Sequence, residues 1–294
     1  MPELPEVEVL ARHLTPLVRG KTIRAVNIRR AKSLRPTSPR EFSDQLVGAT
    51  FRDLSRRGKY LIFELQSAGP LRGRQRSQTA GIELLGHLGM TGRMYVALKR
   101  EPLPKHAAIV FDLGDRNFIY EDYRYFGRMS LDLAPIRGLG PEPLGREFTP
   151  AFLAGALKRS RQPVKVKLLD QTVAAGVGNI YASEALYRAG ISPKLPASRL
   201  TAVQVKRLWR AIRETLREAI RFGSTVPLKF ASGKSDGLFY FGRSNEGESF
   251  YEERLRVYDR GGQGCLKCKT PIRRITQAAR STFFCPECQK TGRD

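Results

Sequence analysis

The four cysteines of this 294-residue chain all lie within its last thirty residues, at Cys265, Cys268, Cys285 and Cys288. They form two C-x2-C pairs separated by sixteen residues. Each pair closes a tight knuckle that aims two sulfurs at one point, and two knuckles supply the four thiolates of a tetrahedral zinc shell. Protein sulfur then fills every position, so no site remains for a reactive water and the metal is structural rather than catalytic. The competing arrangement, two disulfides, needs an oxidising compartment. The N-terminus, Met-Pro-Glu-Leu-Pro-Glu, is acidic where a secretory signal is basic and then apolar, so it gives no sign of export.

The chain as a whole is strongly basic. It has 52 Lys and Arg against 28 Asp and Glu, a net charge of +24. Residues 255–294 alone carry nine basic and three acidic side chains, so the cysteine module shares the charge. Nucleic acid is the partner such a charge fits best, because neutralising phosphates releases counterions. An anionic membrane surface is a rival, but the sequence has no long basic amphipathic helix with an aromatic face. It also has no run of 18 apolar residues that could span a bilayer. A surface charged for solubility alone is the third reading. With 41% hydrophobic residues the chain has enough apolar material for real cores, and its length fits two domains of ordinary size.

Periodicity divides the chain. Val7, Leu10, Leu14 and Leu17 mark one face of a helix over residues 5–17. From about 21 to 133, short β-branched and aromatic runs follow at Thr22–Ile28, Lys59–Leu65, Ile82–Leu88, Ala108–Leu113 and Phe118–Tyr123. No long helices alternate with them, which predicts an antiparallel sandwich rather than a parallel α/β sheet. Residues 67–81 are polar, basic and glycine-containing, and predict an exposed loop. The Gly/Pro-rich stretch at Gly138–Pro150 marks a domain boundary. Beyond it the spacing becomes helical at Phe152–Lys158, at Val164–Gln171, and from Asn179 as N-cap to about Ala189, stopped by Gly190. The longest helix starts at a Thr201/Gln204 capping box and buries Val205, Leu208, Trp209, Ile212, Leu216, Ala219 and Ile220, with Gly223 just past its end. Residues 224–250, rich in glycine and aromatics, predict a long functional loop.

Two features carry chemistry. Helix, glycine turn and helix over 164–189, with Gly176 and Gly178 in the turn, is a phosphate-binding geometry or an ordinary αα-hairpin. At the N-terminus, removal of Met1 would expose the secondary amine of Pro2, with Glu3 and Glu6 beside it. An α-amino group has a pKa of about 8, so part of it is neutral at pH 7 and able to form a Schiff base with a sugar aldehyde. The same residues also suit the start of a helix.

MPELPEVE at 1–8, RRGKYLIFEL at 56–65, HLGMTGR at 87–93, GPEP at 140–143, LLDQTVAAGVGNIYASEALYRAGI at 168–191 and the terminal cysteine pairs together resemble the formamidopyrimidine-DNA glycosylase family, bacterial enzymes that excise oxidised purines from DNA. The match runs in order along nearly the whole chain. It implies an α+β multidomain fold: an N-terminal antiparallel β-sandwich with a leading helix over 1–140, a helix–two-turn–helix domain over 141–255 with a lesion-capping loop at 224–250, and a four-cysteine zinc finger over 256–294. It implies that Pro2 attacks C1′, that Glu3 donates a proton and opens the sugar, and that Glu6 supports it. Lys59 transfers a proton in β-elimination, and Arg280 grips a phosphate and serves δ-elimination. DNA contacts are implied for His87, Met90, His106, Arg124, Phe126, Arg161, Lys165 and Asn179. Of these, Met90 fills the vacated stack, and Arg124 and Phe126 enter beside the base opposite the lesion, the kind of wedge that offsets the cost of flipping a base.

The resemblance implies one structural Zn2+ and no redox or organic cofactor. The partner is double-stranded DNA with a damaged base or abasic site. The chain would act as a monomer in the bacterial cytoplasm, at the nucleoid, and not at a membrane. It departs from the family pattern where Tyr123 and Tyr125 stand in place of the usual Pro and Arg, in the longer 224–250 segment and in the apparent insertion at 67–81. These departures leave lesion and opposite-base preference open. The rival readings are a glycosylase of the same mechanism acting on oxidised pyrimidines or another lesion, a non-catalytic damaged-DNA binder and a zinc-containing transcription regulator. The last lacks a major-groove recognition helix.

Overall fold

Alternation of buried and exposed side chains along short segments dictates the first part of the chain. The computed structural model describes residues 2–67, 81–223 and 255–290. Residues 68–80 and the whole of the expected loop at 224–250 lie outside these. The described residues fall into two units, one holding Glu6–Arg137 and the other Glu3–Pro5, 138–223 and 255–290.

The first unit contains most of α1 (Leu4–Val18), then β1 (Ala25–Ile28), α2 (Pro39–Leu46), β2 (Thr50–Arg57), β3 (Tyr60–Gln66), β4 (Gly81–His87), β5 (Gly92–Leu98), β6 (Ala107–Asp112), β7 (Arg116–Asp122), β8 (Arg128–Ser130) and the short α3 (Ala134–Arg137). The strands make two four-stranded antiparallel sheets, ordered β1-β6-β7-β5 and β2-β3-β4-β8. Phenylalanines join the sheets face to face. Phe51 and Phe63 of one sheet meet Phe118 of the other with ring centres 6.1 and 5.5 Å apart, and Phe111 stacks on Phe118 at 5.3 Å. Burying a phenylalanine contributes about 2 kcal/mol, so this aromatic seam is the centre of the sandwich. The expected strands are all present, with ends shifted by a few residues. β2, β5, β8 and α2 were not expected. In α1, Val7, Leu10 and Leu14 are fully buried, and Leu17 is half-buried.

The second unit is helical and ends in a hairpin: α4 (Pro150–Lys158), α5 (Val164–Leu168), α6 (Asn179–Arg188), α7 (Ala202–Gly223), β9 (Arg273–Gln277) and β10 (Arg280–Phe284). Thr149 caps α4 by accepting the Phe152 amide at 3.1 Å. The capping box of α7 is reciprocal: the Thr201 amide donates to Gln204 Oε1 at 3.0 Å and the Gln204 amide to Thr201 Oγ1 at 3.2 Å. Val205, Leu208, Ile212, Leu216 and Ile220 of α7 are buried, whereas Trp209 and Ala219 are half-buried. Gly223 is the last helical residue rather than the residue after it. Arg213 donates to the carbonyls of Pro143 (2.7 Å), Leu144 (3.3 Å) and Gly145 (2.9 Å), which pins the Gly/Pro-rich stretch to α7. Among the described residues no helix is long and apolar enough to cross a membrane.

Candidate active site and nucleic-acid interface

A helix start leaves its first amides without intrahelical partners. At α6 those amides are satisfied from far away in sequence. The Glu3 carboxylate accepts from the amides of Gly178 (2.8 Å), Ile180 (2.9 Å) and Tyr181 (3.3 Å). The Leu4 amide donates to the Gly176 carbonyl at 3.0 Å, and Gly176 supplies the turn with φ +87°. The expected N-cap role of Asn179 is therefore corrected: the cap residue is Gly178, and Glu3 provides the oxygen. This leaves the Asn179 amide for other partners. Its Oδ1 accepts from Lys165 Nζ, and its Nδ2 donates to the Ser281 carbonyl at 2.9 Å.

Lys165 is not at the surface. Its side chain is fully buried, and its ammonium also donates to the Ser281 carbonyl (3.1 Å) and the Thr282 hydroxyl (2.7 Å). Burial, and then the nearby Arg280 guanidinium, push its pKa down to about 8, while the Glu3 carboxylate opposes them. A direct phosphate contact from this side chain does not fit such a position. Lys165 instead holds Asn179 and the β10 backbone together.

Arg280 opens β10 and is exposed. The turn before it, Ala278-Ala279, has φ +46° and +58° in the two-residue hairpin between paired Gln277 and Arg280. Below the hairpin, Val257, Cys265, Ile272, Phe283 and Cys285 form a small core, against which Tyr187 of α6 packs. The four cysteine sulfurs all lie within 4.8 Å of one another, and none is in a disulfide. The separations Cys265–Cys288 (3.9 Å), Cys268–Cys285 (3.4 Å) and Cys268–Cys288 (3.5 Å) are near the edge of about 3.8 Å that a zinc tetrahedron with bonds of about 2.3 Å requires. The Tyr187 hydroxyl lies 3.2 Å from Cys265 Sγ, the place for a donor to a thiolate.

In the first unit Lys59 is almost fully buried in the β2–β3 turn. Arg56 fixes that turn: its Nη1 donates to the Gly58 carbonyl at 3.0 Å and its Nε to Glu8 at 2.9 Å. Burial works against the Glu8 charge, but Arg56 and Arg12 hold its carboxyl below the usual range. His87, paired across the sheet with Tyr60, accepts the Gly89 amide through Nδ1 at 3.1 Å. Burial, then the charges of Lys59 and Arg128, lower its pKa to about 4. The neutral ring therefore anchors the turn that carries Met90, which is 41% exposed.

That turn lies directly against the loop after β7. A Cβ on Gly89 would come within 2.4 Å of the Gly127 nitrogen, and one on Gly127 within 2.4 Å of the His87 carbonyl, so the backbones meet where only glycine fits. The loop is built on Asp122. This fully buried carboxylate accepts from the Thr91 hydroxyl (2.6 Å), the Tyr120 hydroxyl (3.3 Å) and the amides of Arg124 (3.1 Å) and Gly127 (2.8 Å). Arg124 and Phe126 project as a pair, with the guanidinium 4.8 Å from the ring centre, and Phe126 is 55% exposed. Met90, Arg124 and Phe126 thus share one apolar, basic prominence, with half-buried His106 beside Tyr123.

Of the remaining expected residues, Pro2 and Glu6 are buried at the start of α1, and Arg161 is exposed between α4 and α5. Asp122 was missed by sequence reasoning. So was Glu184, a buried carboxylate of α6 that accepts the amides of Arg256 (2.9 Å), Val257 (2.9 Å) and Tyr258 (2.8 Å). Burial pushes the Glu184 carboxyl up, against the pull of those amides.

Family models cover most of this architecture. The formamidopyrimidine-DNA glycosylase N-terminal domain matches residues 1–129, the H2TH domain of the same enzyme residues 139–229, and a zinc finger found in FPG and IleRS residues 262–291. A formamidopyrimidine-DNA glycosylase of Symbiobacterium thermophilum is 42% identical over 98% of this chain and 89% of its own length. The chain belongs to the formamidopyrimidine-DNA glycosylase family. Two solved structures of the Lactococcus lactis member are similar throughout. Its complex with a FAPY-dG-containing DNA aligns with TM-score 0.80 at 30% identity, covering 98% of this chain and 100% of that one. Its complex with an oxidised-pyrimidine-containing DNA aligns with TM-score 0.81 at 30% identity and the same coverage. The sandwich, the helical hairpin and the four-cysteine cluster are those of a family member, as the sequence resemblance implied.

Proposed function

We propose that the chain is a bifunctional DNA glycosylase and AP lyase that binds damaged double-stranded DNA and excises oxidised purines, 8-oxoguanine and formamidopyrimidines. After loss of Met1, the Pro2 nitrogen attacks C1′ of the flipped nucleotide, the C1′–base bond breaks, and the base leaves with a proton. The Glu3 carboxylate takes the proton that the Pro2 nitrogen sheds and passes it to the ring oxygen, so the sugar opens and a Schiff base forms. Lys59 serves the removal of the C2′ proton that expels the 3′ phosphate, and Arg280 holds a phosphate for the second elimination on the 5′ side. Asn179 contacts backbone phosphate beside it. Met90 fills the space left in the stack, and Arg124 and Phe126 enter beside the opposite base.

The single observation that supports this reading most is the tethering of Glu3. The cap amide of Gly178 and two amides of α6 hold the residue that follows Pro2, so a freed imino nitrogen sits one peptide from a fixed anchor. Fixing a nucleophile in this way supplies part of the barrier reduction as entropy already lost. The cysteine cluster supports a single structural zinc beneath the hairpin that carries Arg280. When bound, the metal ties the two knuckles into one fold.

Borohydride reduction in the presence of 8-oxoguanine duplex tests the mechanism. Wild type is expected to give a covalent adduct on Pro2, and Pro2→Gly a severalfold weaker one. An equal yield from the variant would contradict the assignment. Intact-mass measurement of competent protein is the companion test, since retained Met1 locks the Pro2 nitrogen in an amide that cannot attack C1′. The second reading, preference for oxidised pyrimidines, draws on the Lactococcus lactis complex with such a DNA. A panel of lesion duplexes separates the two by relative rates.

A further inference from the structure

Where the family pattern has an arginine, this chain has Tyr125, and a guanidinium from a different element lies over its ring. Arg30 Cζ sits 4.1 Å from the Tyr125 ring centre. Tyr125 adopts φ +55°, a left-handed conformation that a bulky residue rarely holds without reason. The Asp122-bound amides on either side impose that backbone and aim the ring toward β1. Arg30 is equally fixed at its own end. A bulge in β6 takes Ala108 out of register with β7, and the Ala108 carbonyl accepts the amides of both Arg29 (2.9 Å) and Arg30 (3.1 Å). His106 braces the arrangement: its ring lies edge-on to Tyr123 at 4.9 Å, and its Nδ1 lies 3.5 Å from the Tyr125 hydroxyl.

The Arg30 side chain has no ion-pair partner among the described residues and is exposed. Arg29, Lys32, Arg35 and Arg124, all exposed, add to the positive charge of this part of the unit. A guanidinium held over an aromatic face keeps N–H groups pointing away from the ring, which suits contact with a phosphate.

We propose that Arg30, lying over the Tyr125 ring, is a backbone-phosphate site for DNA, and that the two residues act as one unit. This rests on the DNA-binding reading above. It adds a contact from a second element, and it makes a tyrosine the support of a charge rather than its source.

Fluorescence anisotropy with a duplex containing a stable abasic-site analogue, repeated from 50 to 300 mM salt, tests it. Losing one phosphate contact makes the slope of log affinity against log salt shallower by about 0.9. Arg30→Ala is expected to show that change and weaker binding at low salt. Tyr125→Ala should reproduce most of both although Arg30 remains, the double variant should be no worse than Arg30→Ala, and Tyr125→Phe should restore binding because the ring is kept. An unchanged slope in Arg30→Ala, or fully additive losses in the double variant, overturns the proposal. Nicking of abasic duplex by wild type keeps the two readings apart. If wild type nicks and Arg30→Ala keeps its slope, only the Arg30 site falls. If wild type neither binds nor nicks, the DNA reading falls and this site with it.

Discussion

Two turns present side chains in left-handed backbone, and they are held from below by buried charges of opposite sign. In the first unit, the loop with Tyr125 at φ +55° is organised by Asp122, which takes N–H and O–H groups. In the second, the hairpin with Ala278 and Ala279 at φ +46° and +58° is organised by Lys165, which gives N–H groups to a carbonyl, a hydroxyl and an amide oxygen. The sign of the buried charge follows the backbone it must satisfy. A loop that turns its amides inward calls for a carboxylate, and a strand edge that turns a carbonyl inward calls for an ammonium. Each anchor is fully buried, so each is useful only while all its partners are in place.

Removing the metal should break the comparison most severely, because structural zinc in small domains contributes about 10 kcal/mol of apparent folding free energy. A strong chelator is expected to release the β9–β10 hairpin and make four thiols rapidly reactive. Four thiols that titrate fast before chelation would show that no metal holds them. The two anchors come next. Asp122→Ala takes the acceptor from two hydroxyls and the Gly127 amide, while the Arg124 amide keeps only Thr91 Oγ1, and should cost about 3 kcal/mol or more. Lys165→Met should cost less, about 2 kcal/mol, because the Ser281 carbonyl keeps its bond from Asn179. Urea unfolding of both variants checks the order, and a larger loss in Lys165→Met would reverse it.

Acid should weaken the first unit through His87. Its pKa is lowered to about 4 when folded, from 6.5 when unfolded. Between those values the unfolded chain binds a proton that the folded chain refuses, so stability is full above pH 6.5 and declines as pH falls toward 4. The loss is on the order of 1–3 kcal/mol, and it should vanish from the difference between wild type and His87→Gln if another group is responsible. The smallest effect sharpens the comparison. Ala279→Gly should stabilise by about 0.5 kcal/mol, since glycine accepts positive φ without a Cβ penalty. Tyr125→Gly relieves the same conformation but gives up the Arg30 and His106 contacts, so no gain in melting temperature is expected there.

What the sequence revealed was local. The α1 stripe, the Thr201/Gln204 box and the paired cysteines depend on residues a few positions apart, and each appears as expected. β2 was missed because TFRDLSRR carries four charges and only two buried positions in its eight residues, too weak a period to stand out. α2 was missed because eight residues with one proline and three charges offer little periodicity, although Ser38 caps it by accepting the Glu41 amide. The site anchors were illegible for a different reason. Glu3 serves amides 175 to 178 positions away and Glu184 serves amides 72 to 74 away, and no spacing rule reaches that far. Asn179 looked like a cap because asparagine before a helix usually is one. The oxygen came from Glu3 instead, which freed Asn179 for Lys165 and Ser281.

The tethering of Glu3 has a practical side for anyone producing this enzyme. Pro2 and Glu3 are both buried, and Glu3 is already committed to α6. On the proposed mechanism, an affinity handle fused ahead of them would convert the reacting imino group into an amide. Purification tags therefore belong at the opposite terminus, and any upstream fusion should be cut so that proline is the first residue left.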